Sequence, residues 1–424
     1  MLKNGVITFN ITNLNFFEVD DMTDKAKTQK STREGRGQSG LRVQNERKII
    51  SLIRQHGALP KAEIAHKTGL SAQAVTVIIN RLEADELLVR KTPQRGRVGQ
   101  PLVPFALNSE GAFGIGLKVG RRSFDLTLID LNGNVRATLH ENFQYPSVTN
   151  LLAFLEKGIE ALTLGLNTDL RERILGVGVA TPYEIWSWAE EAGAPSEVLD
   201  EWKTFNFTQG ITSIINLPVY VCNDDTAACS AELSFGNPHH FDNFMYVFIG
   251  TFIGGGVVLN GSLFTGKTGN AGAIGSLPQP VLDPQGKLSS QQLIMQSSLY
   301  ILEQMLIDAG YDGKSLWQSS EYWGELGATL DDWIDKVADG LAYAALCSMA
   351  IFDFEAIVID GAIPVTVREK IIRATAEKIA KSDTRGLSPC EIVSGTIGGK
   401  AQSIGCANLP LLANFSQDSR SLFN

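Results

Sequence analysis

The sequence predicts an α/β protein made of a small basic helix-turn-helix domain followed by a larger acidic body. Residues 22–105 hold 16 Lys and Arg against 7 Asp and Glu, whereas the rest of the 424-residue chain holds 21 against 39. A helical apolar period interrupted by tight turns runs between residues 43 and 89. Short apolar strands alternate with helices and glycine turns after Gly114, a pattern typical of α/β folds. The charge asymmetry favours a nucleic-acid-binding domain joined to a body that would not itself hold DNA.

The composition is that of an ordinary globular protein, with 44% hydrophobic and 20% charged residues. Glycines interrupt the longest apolar runs, so we expect no membrane span. The first residues lack the basic segment and sustained apolar core of a secretory signal. Five scattered cysteines are typical of reduced thiols. These features predict a protein of the bacterial cytoplasm that does not associate with membranes.

Residues 1–40 are expected to form a disordered tail. The stretch Lys25–Gly40 is polar, charged and rich in glycine, so it has little apolar surface to bury. The first 21 residues are more apolar, which leaves open whether Met1 or Met22 is the first residue of the protein.

Residues 41–92 are predicted to form an all-α winged helix-turn-helix domain. A first helix ends near Gly57, and a second one opens at Pro60, which the first turn of a helix tolerates. Gly69 ends the second helix, and Ser71 caps a third helix over Ala72–Ala84. We expect the third helix to bury four apolar side chains, those of Val75, Val77, Ile78 and Leu82.

The opposite face of the third helix is available to a major groove of double-stranded DNA. The residues expected to contact DNA are Ser71, Gln73, Ala74, Thr76, Asn80 and Arg81. A plain helical hairpin has the same spacing, but the local positive charge favours DNA binding.

A linker over residues 93–108 contains Arg95 and Arg97 between glycines, an arrangement suited to a narrow minor groove. The alternative for these two arginines is a solvated linker.

The body, residues 109–424, contains a strand that ends in Asn223-Asp224-Asp225 and leads into a helix. The next strand ends in the glycine turn Gly250–Gly256. A carboxylate at a strand end can accept a hydroxyl proton, and glycines let backbone N–H groups approach phosphate. The layout is that of a phosphotransfer site of the sugar-kinase kind. An equally simple interpretation is that an aspartate caps the helix and the glycines form a hairpin.

Four motifs resemble the signatures of the ROK family, which comprises bacterial repressors and sugar kinases. They are N-D-D-T-A-A at 223–228, G-T-F-I-G-G-G at 250–256, N-G at 260–261 and A-G-A-I-G-S at 271–276. The resemblance covers about residues 114–411, and the N-terminal domain resembles that of the family's repressors. It implies a two-lobed body with the actin-like ATPase (ribonuclease H-like) fold, a small sugar or sugar derivative bound between the lobes, and a homodimer or homotetramer on a DNA operator. The residues it implies for the effector are Asn223, Asp224, Glu184, Thr251, Gly254 and Gly255.

Several positions depart from the family's kinases. Lys118 and Arg121 replace an acid and a glycine of the first phosphate turn, Phe252 replaces a glycine of the second, and Asp360 replaces a glycine near the nucleotide. These departures argue against ATP as a cofactor and leave Asp224 as a vestigial base. We expect Asp225 to serve as the N-cap of the helix that starts at Thr226.

Two further departures concern the sugar and the metal. Ala273 and Ser276 stand where the family has a sugar-binding Glu and His. The cysteine-rich zinc loop expected shortly afterwards is absent, so we expect neither zinc nor another metal.

We interpret the chain as a transcriptional regulator, a repressor of carbohydrate-related genes, whose body binds a sugar-like effector without phosphorylating it. One alternative is a functional sugar kinase that carries a DNA-binding domain and uses Asp224 as base. Another is a regulator controlled by a protein partner. The sequence does not identify the effector or the operator, nor does it distinguish repression from activation.

Overall fold

The computed structural model describes residues 33–93, 102–188, 195–237, 239–282, 285–317 and 319–416. Residues 1–32, Arg95 and Arg97 therefore lie outside the described residues. The chain divides between Val43 and Gln44 into two units. Apart from the first turns of helix α1, all elements below belong to the second unit.

The N-terminal domain combines three helices with a small antiparallel sheet in which β3 pairs with both β1 and β2. It is therefore not purely helical. Residues 33–40, expected to be disordered, form the beginning of α1, and the predicted linker 93–108 ends in strand β3. The elements are α1 (Arg33–His56), β1 (Leu59–Pro60), α2 (Lys61–Thr68), α3 (Ala72–Ala84), β2 (Leu88–Arg90) and β3 (Pro104–Leu107).

The turn between α2 and α3 has the predicted geometry. Gly69 adopts a left-handed φ of 69°, and its N–H donates to the carbonyl oxygen of Ala65. Ser71 Oγ accepts from the N–H of Ala74 at 3.1 Å and caps α3. The predicted burial of Val77 is wrong, since this side chain is 64% exposed whereas Ile79 is fully buried. The core face follows the i, i+3, i+4, i+7 pattern of an amphipathic helix, which Ile79 fits and Val77 does not.

The first lobe of the body is a five-stranded sheet in the order β6-β5-β4-β7-β8. Strands β4, β5 and β6 pair antiparallel, whereas β7 and β8 add in parallel on the other side of β4. Its elements are β4 (Phe113–Val119), β5 (Ser123–Asp130), β6 (Val135–Asn142), α4 (Val148–Thr163), α5 (Thr168–Arg171), β7 (Ile174–Thr181), α6 (Ser196–Asp200), α7 (Phe207–Thr212), β8 (Val219–Asn223) and α8 (Asp224–Phe235).

The second lobe repeats this strand order as β11-β10-β9-β14-β15 and adds a β12–β13 hairpin. Its strands are β9 (Phe244–Ile249), β10 (Ile253–Leu259), β11 (Ser262–Phe264), β12 (Pro278–Leu282), β13 (Leu288–Gln292), β14 (Ala356–Gly361) and β15 (Glu391–Ser394). Its helices are α9 (Ile294–Ser297), α10 (Leu299–Asp308), α11 (Gly327–Phe352), α12 (Val365–Ala380) and α13 (Ala401–Phe415). None of the described helices is long and apolar enough to cross a membrane.

Helices α8 and α13 join the two lobes. Helix α8 follows the last strand of the first sheet but packs on β10 of the second, where Gly256 meets Cys229. Helix α13 follows the second sheet but packs on β4 and β7 of the first. The two helices also pack on each other where Gly405 lies against the Ala227 carbonyl, a position that leaves no room for a Cβ.

The N-terminal domain packs on the first lobe and on the end of α13. Ile49 and Ile53 of α1 share a buried cluster with Ile129 and Leu411 of the body. Arg47 Nη2 donates to the carbonyl oxygen of Ala413 at 3.1 Å. The last turn of α13 is therefore part of the contact between the DNA-binding domain and the body.

Candidate functional site

Two of the residues predicted for the effector, Asn223 and Asp224, lie at the start of α8. Asn223 Oδ1 accepts from the N–H groups of Asp225 at 3.0 Å and Thr226 at 3.2 Å, so Asn223 is the N-cap of a helix that begins at Asp224. The expectation that Asp225 caps this helix is wrong. Both carboxylates instead lie in the first helical turn, where the helix dipole favours negative charge.

Asp224 and Asp225 are joined by an amide from the other crossing helix. Gln402 Nε2, near the start of α13, donates to Asp224 Oδ2 at 3.2 Å and to Asp225 Oδ1 at 3.0 Å. Burial raises the pKa of Asp224, and it raises the pKa of Asp225 well above its ordinary value, with a further contribution from the charge of Asp224. Arg121 and Lys118 oppose both shifts. The pair therefore favours a state in which one carboxyl keeps its proton.

The glycine turn is used for close packing. Gly254 lies directly against the Asp225 carboxylate, and Gly255 lies against the Tyr246 carbonyl, so neither position has room for a side chain. Both glycines are in β10 and pair with β9, which makes the segment the hairpin of the simpler interpretation. The carbonyl oxygen of Thr251 accepts from the N–H of Tyr300 at 3.1 Å. This backbone thus serves the fold at the positions where the sequence predicted ligand contacts.

Arginines of the β4–β5 turn reach from the first lobe to the second. The Arg121 guanidinium carbon lies 4.1 Å from the centroid of the Phe252 ring. Arg122 forms an ion pair with Glu303 at 3.6 Å and lies over the Trp317 ring. The turn that holds nucleotide phosphates in the family's kinases is here occupied by contacts between the lobes.

Asp360, which replaces a glycine of the family's kinases near the nucleotide, has a structural role. Its carboxylate is fully buried and forms an ion pair with Arg368. It also accepts from the Tyr246 hydroxyl at 3.0 Å and from the N–H of Gly398 at 2.9 Å. The charge is therefore neutralised, and Asp360 anchors the turn before α13.

Glu184 lies three residues beyond β7, at the same sheet edge as Asn223. This follows from the pairing of Thr181, the last residue of β7, with Asn223. Glu184 adopts a left-handed φ of 47°, and its Oε2 accepts from Ser187 Oγ at 3.2 Å. A glutamate in this conformation costs conformational free energy, so the surrounding structure must hold it there.

The residues of α3 that were predicted to contact DNA differ in their exposure and in their contacts with other side chains. Gln73 and Thr76 are exposed on α3, and Ala74 is half-buried. Asn80 is also exposed, but its Oδ1 accepts from Lys61 Nζ at 2.9 Å. Arg81, the last residue of α3 that was predicted to contact DNA, forms ion pairs within the domain with Glu46 at 3.3 Å and Asp85 at 3.6 Å.

Sequence reasoning missed Val77, whose side chain lies on this exposed face of α3. An exposed apolar side chain there suits the methyl group of thymine. The helical period of the sequence already indicated this exposure, because a core residue one turn after Val75 is expected at Ile78 or Ile79 and not at Val77.

Within the described residues, no group of three or more His, Cys, Asp or Glu side chains is arranged to hold a metal ion.

Comparisons with known proteins match this architecture. Residues 114–289 match the ROK family model, and residues 43–89 match a winged helix-turn-helix DNA-binding model. The uncharacterized protein y4fQ of Sinorhizobium fredii is 24% identical over 88% of this chain and 91% of its own length. The xylose repressor of Bacillus subtilis is 22% identical over 57% of this chain and 62% of its own length. The Escherichia coli regulator NagC is 23% identical over 55% of this chain and 57% of its own length, so the matches span less than two thirds of these two regulators.

Two solved structures have the same fold. A ROK family transcriptional regulator described as a homolog of the Escherichia coli MLC protein superposes with a TM-score of 0.61 at 19% identity, over 89% of this chain and 98% of that one. A ROK family glucokinase from Streptomyces griseus, solved with glucose and AMPPNP, superposes with a TM-score of 0.54 at 17% identity, over 70% of this chain and 99% of that one. The chain therefore contains a ROK family domain preceded by a winged helix-turn-helix domain.

Proposed function

We propose that the protein is a DNA-binding transcriptional regulator, a repressor, whose affinity for an operator is set by a small sugar-like effector in the body. The observation that carries this proposal is the exposed face of α3 on a winged domain that packs directly on the ROK body. The xylose repressor and NagC relatives support the same assignment. A homodimer or homotetramer would place two such domains on a palindromic site.

The crossing helices offer a physical route from effector to operator. Helix α8 begins with Asp224 and Asp225, and near its end the Phe235 ring lies 5.6 Å from the Arg54 guanidinium of α1. Helix α13 carries Gln402 near its start, and the carbonyl of Ala413 near its end accepts from Arg47. A ligand that changes the hydrogen bonds of the aspartate pair would shift both helices. The shift would act on the contact with the DNA-binding domain, and linkage requires the reverse effect as well.

The body acts without phosphorylating its ligand. Phosphoryl transfer depends on backbone and Mg²⁺ contacts to the nucleotide phosphates. The β4–β5 turn instead carries arginines that contact the second lobe, and Gly254 and Gly255 pack within the β9–β10 hairpin. The protein is thus proposed to need neither ATP nor zinc. The rival function, a sugar kinase, is favoured by the retained Asp224 and by the glucokinase with the same fold.

The test of DNA binding is selection of bound sequences from a pool of random duplexes by the full chain. Gln73→Ala should relax the preference for one base pair by about 1–3 kcal/mol, because an amide can pair with the adenine edge. Gln209→Ala, an exposed glutamine on α7 of the body, is the matched control. Failure to enrich any sequence, or identical preferences in Gln73→Ala and wild type, would contradict the proposal.

A further inference from the structure

A cavity lies between the winged domain and the body, away from the aspartate pair. Its volume is about 690 Å³, within the range of small-molecule sites. Its walls come from α1, from Lys91 after β2 and the end of β3 in the winged domain, from the last turns of α8 and α13, and from loops of the second lobe around Asp242 and Gly261. A ligand here would touch the DNA-binding domain and both crossing helices at once.

Arg54 is the main charged group of this cavity. Its side chain is partly buried, and Nε is shielded from solvent without a hydrogen-bond partner among the described residues. Nη2 makes a long contact of 3.5 Å with the Leu131 carbonyl oxygen, and the guanidinium lies over the Phe235 ring. Burial lowers the pKa of Arg54 to about 10, so the group stays charged at neutral pH. In the described part of the chain no carboxylate forms an ion pair with it.

The other lining groups define the rest of the chemistry. Lys91 adds a second positive charge, and Asp242 is the one carboxylate among the described lining residues. Helices α1, α8 and α13 all end at the cavity, at His56, Phe235 and Phe415. The last carbonyl groups of a helix lack partners within it, so they accept hydrogen bonds from hydroxyl groups and disfavour negative charge. Arg54 lies in the last turn of α1, where its guanidinium supplies the positive charge that an anionic group needs, whereas hydroxyl groups are suited to the carbonyl groups at the ends of α8 and α13.

We propose that this cavity binds a small hydroxylated organic anion whose phosphate or carboxylate group pairs with Arg54. The ligand bridges α1 to the ends of α8 and α13, and its binding strengthens the packing of the DNA-binding domain on the body. This site is separate from the effector site of the aspartate pair and does not depend on it.

The experiment is calorimetric titration of the full chain with glycerol 3-phosphate and gluconate, using glycerol and glucose as neutral counterparts. Both anions should bind, and Arg54→Met should weaken their binding about tenfold or more, because charge-assisted hydrogen bonds to the guanidinium are lost. Binding of only one of the two anions identifies the anionic group that the site takes. Arg54→Lys keeps the charge and should retain most of the affinity.

Two control variants test whether the anion binds in this cavity and not elsewhere on the chain. Arg385→Met alters an exposed arginine of the body that does not line the cavity and takes no part in the contact with the DNA-binding domain, and it should leave anion binding unchanged. Asp224→Asn alters the proposed effector site, which reaches the cavity only through α8 and α13, and should weaken anion binding much less than Arg54→Met. If Arg54→Met fails to fold, Lys91→Met at the exposed rim must weaken anion binding. The proposal is overturned if neither anion binds the wild type at millimolar concentration, if Arg54→Met (or Lys91→Met in its place) binds as tightly as wild type, or if Asp224→Asn abolishes binding.

Discussion

Gly116 tests whether the close approach of α13 to the first sheet holds the body together. Gly116 lies in β4, and a Cβ added there would be 2.5 Å from the backbone nitrogen of Ala407 and 2.9 Å from its Cα. Ordinary contacts of a Cβ begin at 3.4 Å. Gly116→Ala therefore requires α13 to move by about 0.9 Å. Besides Cys406 Sγ at 2.5 Å, the atoms in the way belong to the backbone of Ala407, which cannot rotate aside.

The loss of stability in Gly116→Ala can be estimated from the measured effects of adding atoms to packed cores. Forced insertion of a methyl group into a packed core costs about 1–3 kcal/mol, and a backbone obstacle places Gly116→Ala at the upper end. Alanine also has less conformational freedom than glycine in the unfolded chain, which stabilises the variant by up to about 1 kcal/mol. The free energy of unfolding should therefore fall by about 2 kcal/mol in total. With an unfolding entropy of about 2.1 cal/mol/K per residue over roughly 380 residues, this lowers Tm by about 2–3 °C.

The assay is thermal unfolding by calorimetry, with Gly165→Ala as the matched control. A Cβ at Gly165 has no atom within 4 Å and needs no left-handed φ, so this variant should be unchanged or slightly more stable. Equal melting temperatures for the two variants would refute the argument that glycines are required where α13 meets β4. A variant that melts early should also respond less to effector, because α13 carries Gln402 at the aspartate pair.

Two further predictions concern the aspartate pair. Because its pKa is raised in the folded state, Asp225 contributes stability below the unfolded pKa of about 3.9, and this contribution is lost as pH rises through the folded pKa. The Tm of Asp225→Asn should therefore rise relative to that of wild type as pH increases from acid to neutral. Parallel Tm profiles for Asp225→Asn and wild type would contradict this, and the exposed Asp169→Asn is the control. With Mg²⁺ and ATP, the protein should phosphorylate no member of a panel of hexoses, pentoses and amino sugars, and turnover that Asp224→Asn abolishes would establish the kinase alternative.

Much of the N-terminal domain is determined by local sequence. Gly69 and Ser71 end and start their helices through backbone freedom and a side-chain cap, and both effects act within four residues of the chain. The exposure of Val77 is also encoded locally, since the helical period places Ile78 and Ile79, and not Val77, one turn after the buried Val75. The partners of Asn80 and Arg81 were not predictable, since Lys61 and Glu46 come from other helices.

In the body, sequence motifs located the candidate site, but tertiary packing decided what its residues do. The order of strand, acidic pair and glycine turn was sufficient to bring the acidic pair and the glycine turn together, where Gly254 lies against Asp225. The role of Asp360 depends on Arg368, eight residues away on α12, and the bridge between the aspartates depends on Gln402, 178 residues from Asp224. Such pairs are set by how helices and sheets pack, and no periodicity along one segment encodes them. The cavity beside Arg54 is the clearest case, because it exists only where the ends of three helices distant in sequence meet.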